Sequence, residues 1–275
     1  MHPVTFHDHF SAIARQFPHR PALVWQGEPL SYAQLDQKSS LVAAELSASG
    51  IGVGDIVPLH QPCDADFLVG ALGILKTGAA YAPISMNTPP ERLSFLLDDL
   101  RTKANPTAFC VYYTSGSTGR PKGVVLSHAG VLSLCETHVN LCSFAAGIRA
   151  AVQADVGFDS FLLSTMPVLY CGGTLYLMDA TERLSLIGIH RFLMKNRIDT
   201  VFLTTQLAVE YMRSLDNPRL GTLLTGGEAI HAHTPRSYAV YNLYGPTEVR
   251  DVNGELIFEN PNEPHVAVKK KRPII

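Results

Sequence analysis

Short runs of aliphatic, β-branched and aromatic residues alternate with longer segments of helical spacing along most of this chain, and that alternation leaves few folds open. Residues 6–17 place Phe6, Phe10, Ile13, Ala14 and Phe17 on one helical face. Residues 22–26 and 27–32 read as a hairpin, with Ser31 capping a helix over 32–49 that Gly50 and Gly52 end. A buried strand follows at 56–59, a helix at 65–77 stopped by Gly78, and a strand at 81–84. The pattern continues with a strand at 109–114, an extended segment at 124–128 and a helix at 129–141. Strands at 174–178, 200–203, 220–224 and 240–243 then alternate with helices at 185–196 and 205–214. Strands separated by helices pair in parallel through crossovers, so the expectation is an α/β fold with largely parallel sheets flanked by helices. After Glu248 the rhythm stops, and residues 249–275 read as a poorly ordered tail.

Composition narrows the function. Apolar residues are 46% and charged residues 17% of 275, the balance of a folded globular chain. A net charge of −2 argues against a dedicated nucleic-acid binder. The basic run Lys269-Lys270-Lys271-Arg272 reads as a solvated tail. The five cysteines form no CxxC pair and read as reduced thiols, which suits a cytoplasmic protein. No basic segment followed by an apolar one opens the chain, and the longest apolar run, near Phe67 to Leu75, is far short of the ~20 residues that span a bilayer. No membrane association is expected. His7 with His9 and His231 with His233 have HxH spacing but no neighbouring ligands to complete a metal set.

The densest chemistry lies at residues 113–123, Tyr-Thr-Ser-Gly-Ser-Thr-Gly-Arg-Pro-Lys-Gly. Gly116, Gly119 and Gly123 allow close backbone approach, while Thr114, Ser115, Ser117 and Thr118 add hydroxyls and Lys122 a mobile cation. Successive N–H groups in such a turn form an anion-binding concavity. The spacing before Lys122 is not that of a Walker A loop. From composition alone a plain Gly/Ser/Thr surface loop is equally open.

The order of these residues resembles the phosphate-binding signature of the adenylate-forming superfamily, (Y)TSG(S/T)TGxPKG. Further segments resemble motifs of the adenylation domains of nonribosomal peptide synthetases, in the family's order: LSYAQLD at 30–36, LKTGAAYAPIS at 75–85, GFDS at 157–160, LLTGGEAI at 223–230 and NLYGPTE at 242–248. The resemblance implies the N-terminal core of that fold and ATP-dependent activation of an amino acid as aminoacyl-AMP, with pyrophosphate released. It implies that Thr114, Ser115, Gly116, Ser117, Thr118, Gly119 and Lys122 hold the ATP phosphates. Glu248 would bind Mg²⁺ and Thr247 would meet the α-phosphate. Tyr244 would stack on adenine, with Asn242, Gly245 and the Gly226-Gly227-Glu228 turn around it. Asp159 would meet the substrate ammonium; as a helix N-cap it would have a purely structural role, and both readings are open. Ser160, Leu163, Phe202, Leu224, Gly226 and Leu243 would line the side-chain pocket, whose apolar character implies a neutral, hydrophobic amino acid. In the family the product passes to a phosphopantetheinyl carrier-protein thiol, so a carrier protein and neighbouring synthetase modules are the implied partners.

The chain also departs from the family pattern. The link near 99–108 is short where the family has further strands and helices. GELIF at 254–258 resembles the start of a sixth motif, but the ribose-binding (Y)RTGD motif, the hinge and the small C-terminal domain with its catalytic lysine are absent from the sequence. The expectation is an incomplete core over 1–248, with internal shortening near 99–108. Two further readings stand beside amino-acid activation: a catalytically inactive nucleotide-binding remnant or interaction module, and an acyl or aryl acid activator.

Overall fold

Most α-helix starts among the described residues are set by a side-chain cap. The computed structural model describes residues 5–115, 120–228, 230, 234–244 and 253–257. Thr5 caps α1 (Phe6–Gln16) through a reciprocal pair: its hydroxyl accepts from the Asp8 N–H, and the Asp8 carboxylate accepts from the Thr5 N–H. The hairpin of β1 (Pro21–Trp25) and β2 (Glu28–Ser31) runs into α2 (Tyr32–Ala48), where Ser31 and Gln34 form the same box. After β3 (Ile56–Leu59), Asp64 caps α3 (Ala65–Lys76), followed by β4 (Ala80–Pro83) and α4 (Pro90–Leu100). Next come β5 (Ala108–Ser115), β6 (Pro121–Ser127) and the Ser127-capped α5 (His128–Leu141). The chain continues with β7 (Arg149–Val152), α6 (Asp159–Tyr170), β8 (Thr174–Leu177), α7 (Leu186–Lys195) and β9 (Thr200–Thr204). It closes with α8 (Thr205–Ser214), β10 (Thr222–Gly226), β11 (Ala239–Tyr244) and β12 (Asn253–Ile257).

Two sheets result. The larger has the order β12-β11-β10-β9-β7-β8-β1-β2 and is parallel except for β2 and β12 at its edges. The smaller has the order β3-β4-β5-β6, with only β6 antiparallel. Parallel strands need cover on both faces, and the helices supply it. One core joins α1, α2, α3, α5 and α6 to the facing sides of both sheets. A second packs Ile189, Phe192, Leu193, Ala208, Tyr211 and Met212 of α7 and α8 on the far side of the large sheet. A third sets Leu96 and Leu100 of α4 against Ala82, Ile84 and Val111 on the outer side of the small sheet. The α/β architecture with largely parallel sheets flanked by helices is therefore observed. No helix among the described residues is long and apolar enough to cross a membrane.

The structure adds elements that the sequence pattern does not reveal. α4 follows two prolines, and Pro90 suits its first helical position, but only Leu96 and Leu100 are buried, so its apolar face is thin. β7 is four residues of small side chains, too short to show a period. Residues 253–257, part of the expected tail, form a strand paired with β11; the rest of the stretch after Tyr244 lies outside the described residues. The short link after α4 is tied down. The Asn105 N–H donates to the Gly54 carbonyl, the Thr107 N–H and hydroxyl donate to the Asn105 side chain, and the His128 N–H donates to the Thr107 carbonyl.

One buried group makes the stability of this fold depend on pH. His138 of α5 is 3% exposed, stacks on Phe144 at 5.7 Å, and has no hydrogen-bond partner on either ring nitrogen among the described residues. Burial lowers its pKa from 6.5 to about 4. Between those values the unfolded chain takes up a proton that the folded ring refuses, so stability falls as pH falls through that window. At pH 5 the loss is about 2 kcal/mol relative to pH 7. Urea unfolding of His138→Leu should show a pH 7 to pH 5 difference smaller than that of the parent by about this amount. Equal differences in the two proteins would remove His138 as the cause.

Candidate active site

The hairpin of β5 and β6 positions the glycine-rich segment. Its antiparallel register sets Tyr113 opposite Gly123, Thr114 opposite Lys122 and Ser115 opposite Pro121. Directly opposed residues share a face of the ladder, so Thr114 and the exposed Lys122 stand side by side at the loop end. The loop residues Gly116, Ser117, Thr118 and Gly119, and the Ser115 side chain, lie outside the described residues. The next residue back is anchored. Tyr113 donates its hydroxyl to Asp99 Oδ2 at 2.6 Å, and Lys103 Nζ meets the same oxygen at 2.5 Å. Hydrogen bonds from Lys103 and Tyr113 hold the Asp99 carboxyl below the usual range, while burial and the Asp99 charge push the Tyr113 phenol up. This clamp joins the end of α4 to the β5–β6 hairpin.

In parallel α/β sheets, ligands bind beyond the carboxyl ends of the strands. Here those ends enclose a cleft of about 590 Å³. One wall is Tyr112, Tyr113 and Thr114 at the end of β5, with the segment after β4 and Arg92 of α4 beside them. The facing wall is Asp155, Gly157, Phe158 and Asp159, between β7 and α6. Thr114 and Asp159, far apart in sequence, therefore open on one space. Asp159 is the first helical residue of α6, not its cap: Phe158 holds the N-cap position and no side chain caps the helix. An acid in the first turn is still favoured by the helix dipole.

A second cluster sits at the ends of β9, β10 and β11. Gly226 pairs with both Thr204 and Leu243, and a side chain there would put a Cβ 2.5 Å from the Leu243 carbonyl oxygen. Gly227 follows with φ +105°, a conformation that favours glycine. Thr205 knits the turn: its hydroxyl donates to the Gly226 carbonyl at 3.1 Å and accepts from the Glu228 N–H at 3.3 Å. Asn242 Nδ2 donates to the Glu228 carbonyl at 3.2 Å. Asn242 and the 226–228 turn are thus brought together, as the motif order implies. The role of Thr205 is invisible in sequence, where it looks like any threonine opening a helix.

The residues expected around a substrate side chain also converge. Leu163, Phe202 and Leu224 line a cavity of about 10 Å³ beneath α6, shared with Phe144, which is at the lower limit for a single water. Leu243 is buried against Gly226. Ser160, half-buried, accepts from the Ser164 hydroxyl through its carbonyl. The Tyr244 side chain, Gly245, Thr247 and Glu248 lie outside the described residues, as do His231 and His233. Of the other histidine pair, His9 stacks on Tyr170 at 4.0 Å and His7 packs edge-on against His128. No group of three metal-ligating side chains occurs among the described residues.

The family model for AMP-binding enzymes matches residues 10–105 and 101–252, two stretches that meet at the short link after α4. The chain belongs to the AMP-binding enzyme family. It is 30% identical to surfactin synthase subunit 2 of Bacillus subtilis (strain 168) over 288 residues, covering 89% of this chain and 8% of that protein. It is 29% identical to tyrocidine synthase 3 of Brevibacillus parabrevis over 316 residues, covering 97% and 5%. Against bacitracin synthase 1 of Bacillus licheniformis the identity is 29%, with 88% and 5% covered. The chain therefore spans less than a tenth of the length of these relatives. The fold is shared with solved structures. The Klebsiella oxytoca NpsA N-terminal subdomain superposes with a TM-score of 0.79 at 19% identity, covering 92% of this chain and 77% of that one. The nonribosomal peptide synthetase FmoA3, in its alpha-methyl-L-serine-AMP bound form, gives 0.81 at 22%, covering 93% and 34%.

For this AMP-binding core, Gly226→Ala should be costly, because the new methyl meets backbone rather than a side chain that can swing away. We expect a loss of about 1–3 kcal/mol in urea unfolding. A variant as stable as the parent would mean that β10 and β11 can separate there without penalty.

Proposed function

We propose that this chain activates a neutral, hydrophobic amino acid as its aminoacyl-AMP, at the expense of ATP, for transfer to a carrier-protein thiol in the cytoplasm. The observation that carries the reading is the shared cleft: the phosphate hairpin at Thr114 and the Asp159 carboxylate open on the same space. In this reading an oxygen of the substrate carboxylate attacks the α-phosphorus, the bond to the β-phosphate oxygen breaks, and pyrophosphate leaves. Such a reaction needs positioning and charge neutralisation more than covalent help. Thr114, Ser115, residues 116–119 and Lys122 would hold the β- and γ-phosphates, with Thr247 at the α-phosphate. Tyr244, Asn242, Gly245 and the Gly226–Glu228 turn would hold the adenine; Gly226, with no side chain, lets the β10 and β11 backbones lie close there. Asp159 would pair with the ammonium, and Ser160, Leu163, Phe202, Leu224, Gly226 and Leu243 would face the side chain. Mg²⁺, a hard cation suited to the carboxylate of Glu248, would neutralise phosphate charge.

Amino-acid-dependent exchange of labelled pyrophosphate into ATP tests this directly. We expect exchange with one or a few neutral amino acids. It should fall about a hundredfold in Asp159→Ala, which would lose the carboxylate proposed to meet the ammonium, and about tenfold in Lys122→Ala. Exchange driven only by acyl or aryl acids, and indifferent to Asp159, would replace the substrate class. A folded protein without exchange would favour an inactive nucleotide-binding remnant.

A further inference from the structure

Beneath the start of α6 lies a polar group that the packing of the core does not use. Tyr112 of β5 is 2% exposed, and its hydroxyl has no hydrogen-bond partner among the described residues. Buried hydroxyls are ordinarily satisfied. A phenylalanine would fill the same space without a stranded oxygen, so the tyrosine is costly unless the hydroxyl is used. The strand decides where it points. Cys110 and Tyr112 turn toward the core that holds Phe161 and Leu162 of α6, whereas Val111 and Tyr113 turn toward α4. The Tyr112 hydroxyl lies near the Leu162 backbone but outside hydrogen-bond geometry. Asp159 stands three residues before Leu162, hence on the same side of the helix, and shares the lining of the cleft with Tyr112. Burial, followed by the neighbouring Cys110 and Asp159, pushes the phenol pKa well up, so Tyr112 stays protonated and can donate. A carboxylate has about four acceptor positions on its two oxygens, enough to take a phenol from below and a ligand from the cleft.

We propose that Tyr112 is a positioning residue for Asp159: its hydroxyl donates to the Asp159 carboxylate from the core side and keeps the other oxygen turned to the cleft. The pair closes by rotation of the Asp159 side chain and does not need the ligand. Held in this way, the carboxylate meets a cationic group without first having to be ordered. The inference rests on the adenylation reading for the identity of that cation, the substrate ammonium, and not for the contact between the two side chains.

Two measurements on the full chain separate the contact from its role. Urea unfolding of the parent, Tyr112→Phe, Asp159→Ala and the double variant makes a double-mutant cycle. Tyr112→Phe keeps the ring and its packing, so the variant folds. It should raise the unfolding equilibrium constant about tenfold in the parent and leave it unchanged when Asp159 is already alanine. The second measurement is amino-acid-dependent pyrophosphate exchange. Tyr112→Phe should raise the KM for the amino acid about fivefold while kcat and the KM for ATP stay as in the parent; a change in the core alone would not single out the amino acid. Coupled unfolding in a protein without exchange would keep the contact and remove the adenylation reading. Exchange with an unaltered amino-acid KM and additive unfolding effects would overturn the inference and keep that reading. Coupled unfolding with exchange but an unaltered KM would leave a structural pair and overturn the positioning role. Additive unfolding without exchange would overturn both.

Discussion

Five buried rings fix how the two sheets face each other, and the cleft follows from that. Phe161 of α6 meets Phe67 of α3 edge-on at 5.3 Å, and Phe67 reaches Tyr81 of β4 at 6.4 Å. Tyr81 meets Phe109 of β5 at 5.5 Å, and Phe109 meets Phe6 of α1 at 5.3 Å. All five are essentially excluded from water, and edge-to-face contacts of this kind add about 0.5–1.5 kcal/mol each beyond their area. The path runs from the helix that carries Asp159 to the strand that carries Thr114. A shift in any of these rings would change the distance between the two walls of the site. The small sheet leans on this packing because β4 and β5 are in register at only one pair, Tyr81 and Cys110.

Much of this was legible in the sequence, and the reasons are local. Helix starts with Thr, Ser or Asp at the cap, and strands made of apolar runs, declare themselves through short-range chemistry. Ser31 is an example, expected as a cap and found as one. α4 and β7 escaped because neither has a strong period: one hides behind two prolines, and the other is Arg-Ala-Ala-Val. The strand at 253–257 escaped because its pairing among the described residues is with β11, a partner that composition does not announce.

The site was legible in a different way. Motif order pointed to the 114–123 and 226–228 segments; among the described residues the structure sets Thr114 opposite Lys122 and Asn242 against the 226–228 turn. What the motifs could not show are the groups that hold those segments in place. Thr205 ties the Gly226 turn, and Asp99 with Lys103 ties Tyr113, through contacts between elements distant in sequence or through side chains of no special pattern. Nor could they show that the cavity beside Phe202 and Leu224 is only about 10 Å³ while the cleft against Asp159 and Arg92 is about 590 Å³. The room for a ligand is thus at the carboxyl ends of the strands, where fixed dipoles and mobile charges converge.

If the β5–β6 hairpin, the start of α6 and the 226–228 turn form one nucleotide-linked site, as proposed, ATP should protect all three together. Amide hydrogen exchange, with and without ATP and Mg²⁺, measures it across all three at once. The account predicts slower exchange in the β5–β6 hairpin, in residues 155–160 and in residues 224–228, with α7 and the β1–β2 hairpin unchanged. Exchange rates that ATP leaves untouched in all three segments, or slows only elsewhere, would contradict it.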